Sequence, residues 1–168
     1  SSAASDVYKR QEICNAHELP IISLVDTPGF MVGPDSEKEG AFRRMGELFK
    51  HGARIKSPLV GIILRRGYGL GAMAMMGGSF VDPIYTASWP NGEFGGMGLE
   101  GYVKLGFKKE LEAEETEEKR QALFNKLVAK MYEVGKATEA ASYLEMDAVI
   151  DPAITRETIS KAFSSVGA

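Results

Sequence analysis

Cysteine and histidine are almost missing from this chain. One cysteine, Cys14, excludes an internal disulfide and any cysteine-built zinc cage. Two histidines, His17 and His51, leave little for a histidine metal site or a histidine-relay hydrolase. No apolar run approaches the roughly 20 residues that a membrane-crossing helix needs. A basic surplus is missing too. Lys+Arg total 20 against 23 for Asp+Glu, a net charge of -3, which gives no electrostatic footprint for nucleic acid or an anionic membrane. The rest is ordinary globular composition, 44% hydrophobic and 26% charged over 168 residues, enough for one domain or a piece of a larger one. Glycine alone is plentiful, with 19 residues, and suggests tight turns and backbone brought close to something.

Ser1 to Gln11 has no apolar centre and so does not read as a signal peptide. Asp6-Val7-Tyr8-Lys9-Arg10-Gln11 looks like an in-frame translation of a transposase adapter used in DNA library preparation; the other reading is a natural polar tail. We therefore set residues 1–11 aside as a non-native or disordered leader and treat 12–168 as the domain portion, with Glu12 lying mid-domain on the adapter reading. The expected location is the cytoplasm.

Strands and helices alternate along the rest. Ile21 to Val25 and Leu59 to Leu64 are short β-branched runs bounded by proline and turn residues, which predicts buried strands. Between them, Ser36 and Glu39 make a capping box ahead of one amphipathic helix over 37–56. Further strands are expected at 84–87, 93–96 and 148–150. Helices are expected at 98–107, where Leu99, Val103 and Leu105 can cluster, from the acidic 110–118 stretch to about Val134 with Leu123, Leu127 and Met131 as its stripe, at 139–145 capped by Thr138, and at 155–163. This alternation predicts an α/β layer architecture with parallel pairing.

Two strand-end turns stand out, Asp26-Thr27-Pro28-Gly29 and Tyr68-Gly69-Leu70-Gly71-Ala72. Ligands of parallel sheets sit at such ends. Glycines there let backbone N–H groups face outward, and a helix start adds positive dipole, a combination suited to an oxyanion. A Gly-x-Gly at a strand end is also commonly just a tight turn. Several classes fail on their motifs. There is no Gly-x4-Gly-Lys-Ser/Thr phosphate loop and no Asn-Lys-x-Asp guanine reader, so Asp-Thr-Pro-Gly does not make a GTPase. Gly77-Gly78-Ser79-Phe80 does not form a nucleophile elbow, and no Gly-x-Gly-x-x-Gly follows a strand. Asp26 reads as a cap of its own turn, with a ligand contact as the alternative. Arg65 and Arg66 either steer an anionic partner or form structural ion pairs. Trp89-Pro90 reads as packing and a rigid turn, Glu100 as a helix start or a substrate contact, and His17 and His51 as surface residues.

Five motifs in order carry a resemblance: Asp26-Thr27-Pro28-Gly29-Phe30 with Gly33 and Glu37; Arg65 through Ala72; Trp89-Pro90; Met97-Gly98-Leu99-Glu100-Gly101; and Val149-Ile150-Asp151-Pro152 with Thr155-Arg156. From about Ile13 to Phe163 the sequence resembles the C-terminal half of the carboxyltransferase component of biotin-dependent acyl-CoA carboxylases. The resemblance implies a crotonase-like ββα superhelix, incomplete at its N-terminus. It implies transfer of a carboxyl group from carboxybiotin, carried on a biotin carrier protein and loaded by biotin carboxylase, to the α-carbon of an acyl-CoA. It also implies a homo-oligomer whose active site lies between subunits, so that the isolated chain would be inactive.

By position, the resemblance makes Gly71 and Ala72 the biotin-side oxyanion hole, with Gly69 and Leu70 as the alternative, because this sequence has Tyr-Gly-Leu-Gly-Ala where many members have Tyr-Gly-Gly-Ala. Gly29, Phe30, Tyr68, Gly69 and Leu70 would hold biotin. Met73, Ala74 and Met97 would face the acyl-CoA, although methionines in a short helix are commonly core. No metal is implied. The route needs electrostatic stabilisation and positioning rather than a protein base, which suits a chain so poor in histidine. Two other readings stay open: a non-catalytic docking or assembly module for biotin carriers, and a crotonase-type hydratase or isomerase.

Overall fold

The computed structural model describes residues 2–31, 33–38 and 40–168, with side chains from Ser5 onward. Among the described residues, five parallel strands form the sheet: β1 (Ile21–Thr27), β2 (Leu59–Tyr68), β3 (Tyr85–Ser88), β4 (Glu93–Gly95) and β5 (Ala148–Val149). Their order is β1-β2-β3-β5, with β4 also paired to β2. β2 therefore changes neighbour along its length. Its first half runs beside β3, Val60 to Ile63 against Tyr85 to Ser88, and its last residues run beside β4, Arg66 to Tyr68 against Glu93 to Gly95.

Helices fill the crossovers, as parallel pairing requires. α1 (Ser2–Ala16) precedes β1; α2 (Pro34–Lys38) and α3 (Ala41–Gly52) link β1 to β2; α4 (Gly69–Met75) links β2 to β3. Between β4 and β5 come α5 (Leu99–Gly106), α6 (Lys108–Glu112), α7 (Glu117–Val134) and α8 (Ala137–Ser142). A short 3-10 turn, Pro152–Ile154, leads into α9 (Thr155–Ser165).

Alternation along β2 explains the two core clusters, because successive side chains point to opposite faces. Val60 and Ile62 pack with Ala87 and Ile150 under Ile159, Ala162 and Phe163 of α9. Ile63 packs on the other face with Val25, Ala72, Met76 and Phe94, and with Ala137 and Ala140 of α8. Gly61 belongs to that second face. A side chain there would collide with the end of the Met76 side chain, so the missing Cβ is what lets α4 lie down on the sheet. Ser23 adds a bond from its hydroxyl to the Met75 carbonyl at 2.6 Å.

Several expectations change. The single helix over 37–56 is two, because Gly40 adopts the left-handed φ of 73° and ends one turn before the next begins. Ser36 lies inside α2 rather than capping it, and Glu39, its capping-box partner, lies outside the described residues. Thr138 likewise lies inside α8, whose N-cap is Lys136. The acidic stretch is broken into α6 and α7, and Thr116 caps α7 by accepting the Lys119 N–H at 3.2 Å. Leu105 faces outward, while Leu99 and Val103 are buried. Residues 2–11, set aside above, are the first turns of α1. His51 is half-buried rather than a free surface residue. Its ring stacks on Tyr8 at 4.7 Å, and its nitrogens face Glu12 at 3.0 Å and Glu47 at 3.5 Å.

Candidate functional site

The turn between β2 and α4 is the centre of the site. Tyr68 is the N-cap residue of α4, so its carbonyl takes the Ala72 N–H as the first helical bond. The N–H groups of Gly69, Leu70 and Gly71 come before that first bond and have no acceptor within the helix. Gly69 is left-handed at φ 57°, next to right-handed helical residues. Such alternation curls successive N–H groups toward one side.

Two other backbones hold this turn in a tight sandwich. A Cβ at Gly71 would lie 2.9 Å from the Cα of Gly29 and 3.2 Å from the Phe30 nitrogen. A Cβ at Gly69 would lie 2.5 Å from the Gly96 carbonyl oxygen. Neither position tolerates a side chain without a backbone shift.

A cavity opens on either side of the turn. The first, about 390 Å3, is lined by Gly71, Gly29 and Phe30 together with Leu24, Met31 and Met45, and by polar groups of Asp26, Thr27, Ser36 and Arg44. The second, about 540 Å3, is lined by Gly69, Met73 and Met97 with Phe94, Leu99, Tyr102, Met131 and Val134. The residues singled out from sequence thus divide into two groups. Gly71, Gly29 and Phe30 meet at the first cavity; Gly69, Met73 and Met97 meet at the second. Ala72 and Ala74 are completely buried and line neither cavity. Leu70 is largely exposed, and Tyr68 is buried beneath the turn. Met76 is core, as methionines in a short helix commonly are.

Carboxylates bracket the end of β2. Asp26 does not cap its own turn, where Thr27 takes the Gly29 N–H at 3.3 Å. Its carboxylate instead reaches across to β2, accepting from Arg66 Nε at 2.7 Å, the Arg66 backbone N–H at 3.2 Å and Arg65 Nη2 at 3.3 Å. The hydrogen bond from the Arg66 guanidinium holds this carboxyl below its ordinary range. Both arginines are therefore paired with a carboxylate, the structural one of the two readings given above. On the other side, the Tyr68 hydroxyl donates to Glu93 Oε2 at 2.8 Å. Burial first, and then this carboxylate, push the Tyr68 phenol far above its usual value. Glu100 accepts a second phenol, Tyr132, at 2.8 Å. Glu93 and Tyr132 went unnoticed in the sequence, since their partners stand 25 and 32 residues away. Among the described residues there is no cluster of metal-binding side chains, and no helix is long and apolar enough to cross a membrane.

A parallel sheet with a glycine turn at a strand end and a cavity on either side of it is the class of site that meets a ligand with main-chain groups. The chain matches the carboxyl transferase domain over residues 2–166 and belongs to that family. It is 30% identical to the beta6 subunit of a biotin-dependent acetyl-/propionyl-coenzyme A carboxylase of Mycobacterium tuberculosis, over 100% of this chain and 35% of that protein. It is 31% identical to the methylmalonyl-CoA carboxyltransferase 12S subunit of Propionibacterium freudenreichii, over 89% of this chain and 28% of that one. Among solved structures it resembles a single-chain, multi-domain long-chain acyl-CoA carboxylase, with TM-score 0.83 and 52% identity over 95% of this chain and 16% of that one. It also resembles the transcarboxylase 12S hexamer with methylmalonyl-coenzyme A bound, with TM-score 0.85 and 26% identity over 97% of this chain and 31% of that one. The fold is accordingly the crotonase-like α/β fold. The chain spans about a third of the length of the curated relatives it matches.

Proposed function

We propose that this chain supplies the biotin side of the active site of a biotin-dependent acyl-CoA carboxyltransferase. The observation that carries this reading is the position of the turn, with Gly71 on one cavity and Gly69 on the other. Biotin, when bound, carries the carboxyl group that passes to the acyl-CoA. Its bicyclic ring joins a polar cyclic urea, a carbonyl between two N–H groups, to an apolar thiolane, and the first cavity offers both polar and apolar walls. Leu24, Met31 and Met45 give it apolar walls, and the main chain of Gly29, Phe30 and Gly71 meets at one end. There the N–H groups of Leu70 and Gly71 stabilise negative charge, a role whose removal typically costs about 3 kcal/mol of barrier. Ala72 spends its own N–H on Tyr68 and contributes by fixing the helix start.

The second cavity receives the acyl-CoA, with Met73 and Met97 as adaptable wall groups and Ala74 buried in the same helix as Met73. The complete site needs a second copy of the protein and a biotin carrier loaded by biotin carboxylase, in the cytoplasm. The 168 residues alone supply one half-site and turn nothing over.

Titration of the 15N-labelled chain with biotin methyl ester tests this directly. Shifts at Gly29, Phe30, Leu70 and Gly71 are expected. Shifts confined to Met73, Met97 and Leu99, or none at all, would overturn the assignment of the first cavity.

A further inference from the structure

Between β1 and β2 the ladder loses register at one place. From Val25 to Thr27, β1 advances two residues, while β2 advances four, from Ile63 to Gly67. Asp26 is the one β1 residue standing opposite this excess. An interrupted ladder leaves backbone N–H groups without their strand partner, and such irregularities re-aim the chain beside functional sites. The Arg66 N–H is the group affected, and Asp26 Oδ1 takes it at 3.2 Å while also holding the Arg66 side chain. Two residues further on, Tyr68 is tied from the other side by Glu93 at 2.8 Å. Its ring lies over Gly95, where a Cβ would come within 3.7 Å of it. The next residue is Gly69, where the turn begins.

We infer that Asp26 and Glu93 are positioning residues, a carboxylate on each side of β2 that together aim the Gly69–Gly71 turn. This rests on the reading of that turn as the biotin-side donor group. Exposed ion pairs alone would not do it, being worth about 0–1 kcal/mol each. What separates aiming from surface pairing is the neutral part of each contact: the Arg66 backbone N–H on Asp26 and the Tyr68 phenol on Glu93. An amide in place of either carboxylate keeps an acceptor and loses the charge. Alanine loses both.

The test uses the whole chain carrying Asp26→Ala, Asp26→Asn, Glu93→Ala, Glu93→Gln or Tyr68→Phe. Amide hydrogen exchange is read at Arg66 and Ala72, together with biotin methyl ester affinity. We expect exchange at both amides to quicken about tenfold in the alanine variants, with affinity falling by a similar factor, and the amide variants to recover most of both. Tyr68→Phe removes a single oxygen and should reproduce the Glu93→Ala effect in a chain that still folds. Unchanged exchange in Asp26→Ala and Tyr68→Phe, or an asparagine variant as impaired as the alanine one, would overturn the inference. Quickened exchange with unchanged affinity would uphold the aiming and instead remove biotin from the turn.

Discussion

Gly71 and Gly29 meet backbone to backbone: a Cβ built on Gly71 would sit 2.9 Å from the Cα of Gly29. Neither side of that contact is a flexible side chain, so any substituent must push the β1 loop off α4. Gly71→Ala should therefore cost about 1–3 kcal/mol of stability and abolish biotin methyl ester binding. Urea denaturation and a binding titration on the same sample check both halves. A variant of unchanged stability would mean that the two backbones stand farther apart in solution.

Gly61 offers a contrasting case, because the obstacle there is the end of the Met76 side chain. Gly61→Ala should cost about 1–3 kcal/mol through overpacking. Combined with Met76→Ala, the loss should be well below the sum of the two single losses, since the cavity of one accepts the methyl of the other. A double-mutant cycle in urea measures the coupling, and strict additivity would contradict the packing described.

The Tyr132–Glu100 bond makes an alkaline prediction. Glu100 pushes the phenol up to about 12, chiefly through the hydrogen bond it accepts. The same bond holds the Glu100 carboxyl below its ordinary 4.5. A raised phenol contributes stability that is fully present below the ordinary tyrosine value, about 10, and lost as pH rises through the folded value. A lowered carboxyl contributes stability present above its ordinary value and lost as pH falls through the folded one. Ultraviolet titration of the native chain should show a late phenolate that Tyr132→Phe removes. Glu100→Gln should bring that ionisation earlier; no movement would rule the bond out.

Trp89 reports on the closing helix. Its indole N–H donates to the Thr155 hydroxyl at 3.0 Å, and that hydroxyl in turn donates to the Pro152 carbonyl at 2.8 Å. Thr155→Val leaves the part-buried indole N–H without its acceptor, while the Thr155 backbone N–H still serves the Pro152 carbonyl, and should cost about 1–3 kcal/mol. Because Trp89 is the single tryptophan of the chain, its emission should shift to longer wavelength in the same variant. An unshifted spectrum would argue that α9 is held by packing alone.

The parallel architecture was legible because strand signals are local. The runs at Ile21 and Leu59 carry their β-branched residues and their flanking prolines with them. β2 proved longer, continuing through Arg65 to Tyr68, because β4 gives it a second neighbour that no local pattern announces. The split at Gly40 was missed for a related reason. A glycine inside a helical pattern is tolerated often enough that its left-handed φ shows only in the structure. At the site, the glycine turn and the Gly29 loop stood out in the sequence. Which cavity each glycine faces did not, since that depends on the Gly29 and Gly96 backbones arriving from other segments. Asp26 was noticed but assigned to the wrong N–H, because a turn-capping aspartate and one that mends a broken ladder look alike in sequence.

Gly69, Leu70, Gly71 and Ala72 share one property that outlasts any detail of their geometry: none of their side chains gains or loses a proton. A binding surface made of them keeps the same charge in acid and in alkali. Whatever pH optimum the protein displays must then be written by groups outside these four residues, and the turn itself will work as a constant against which those groups are tuned.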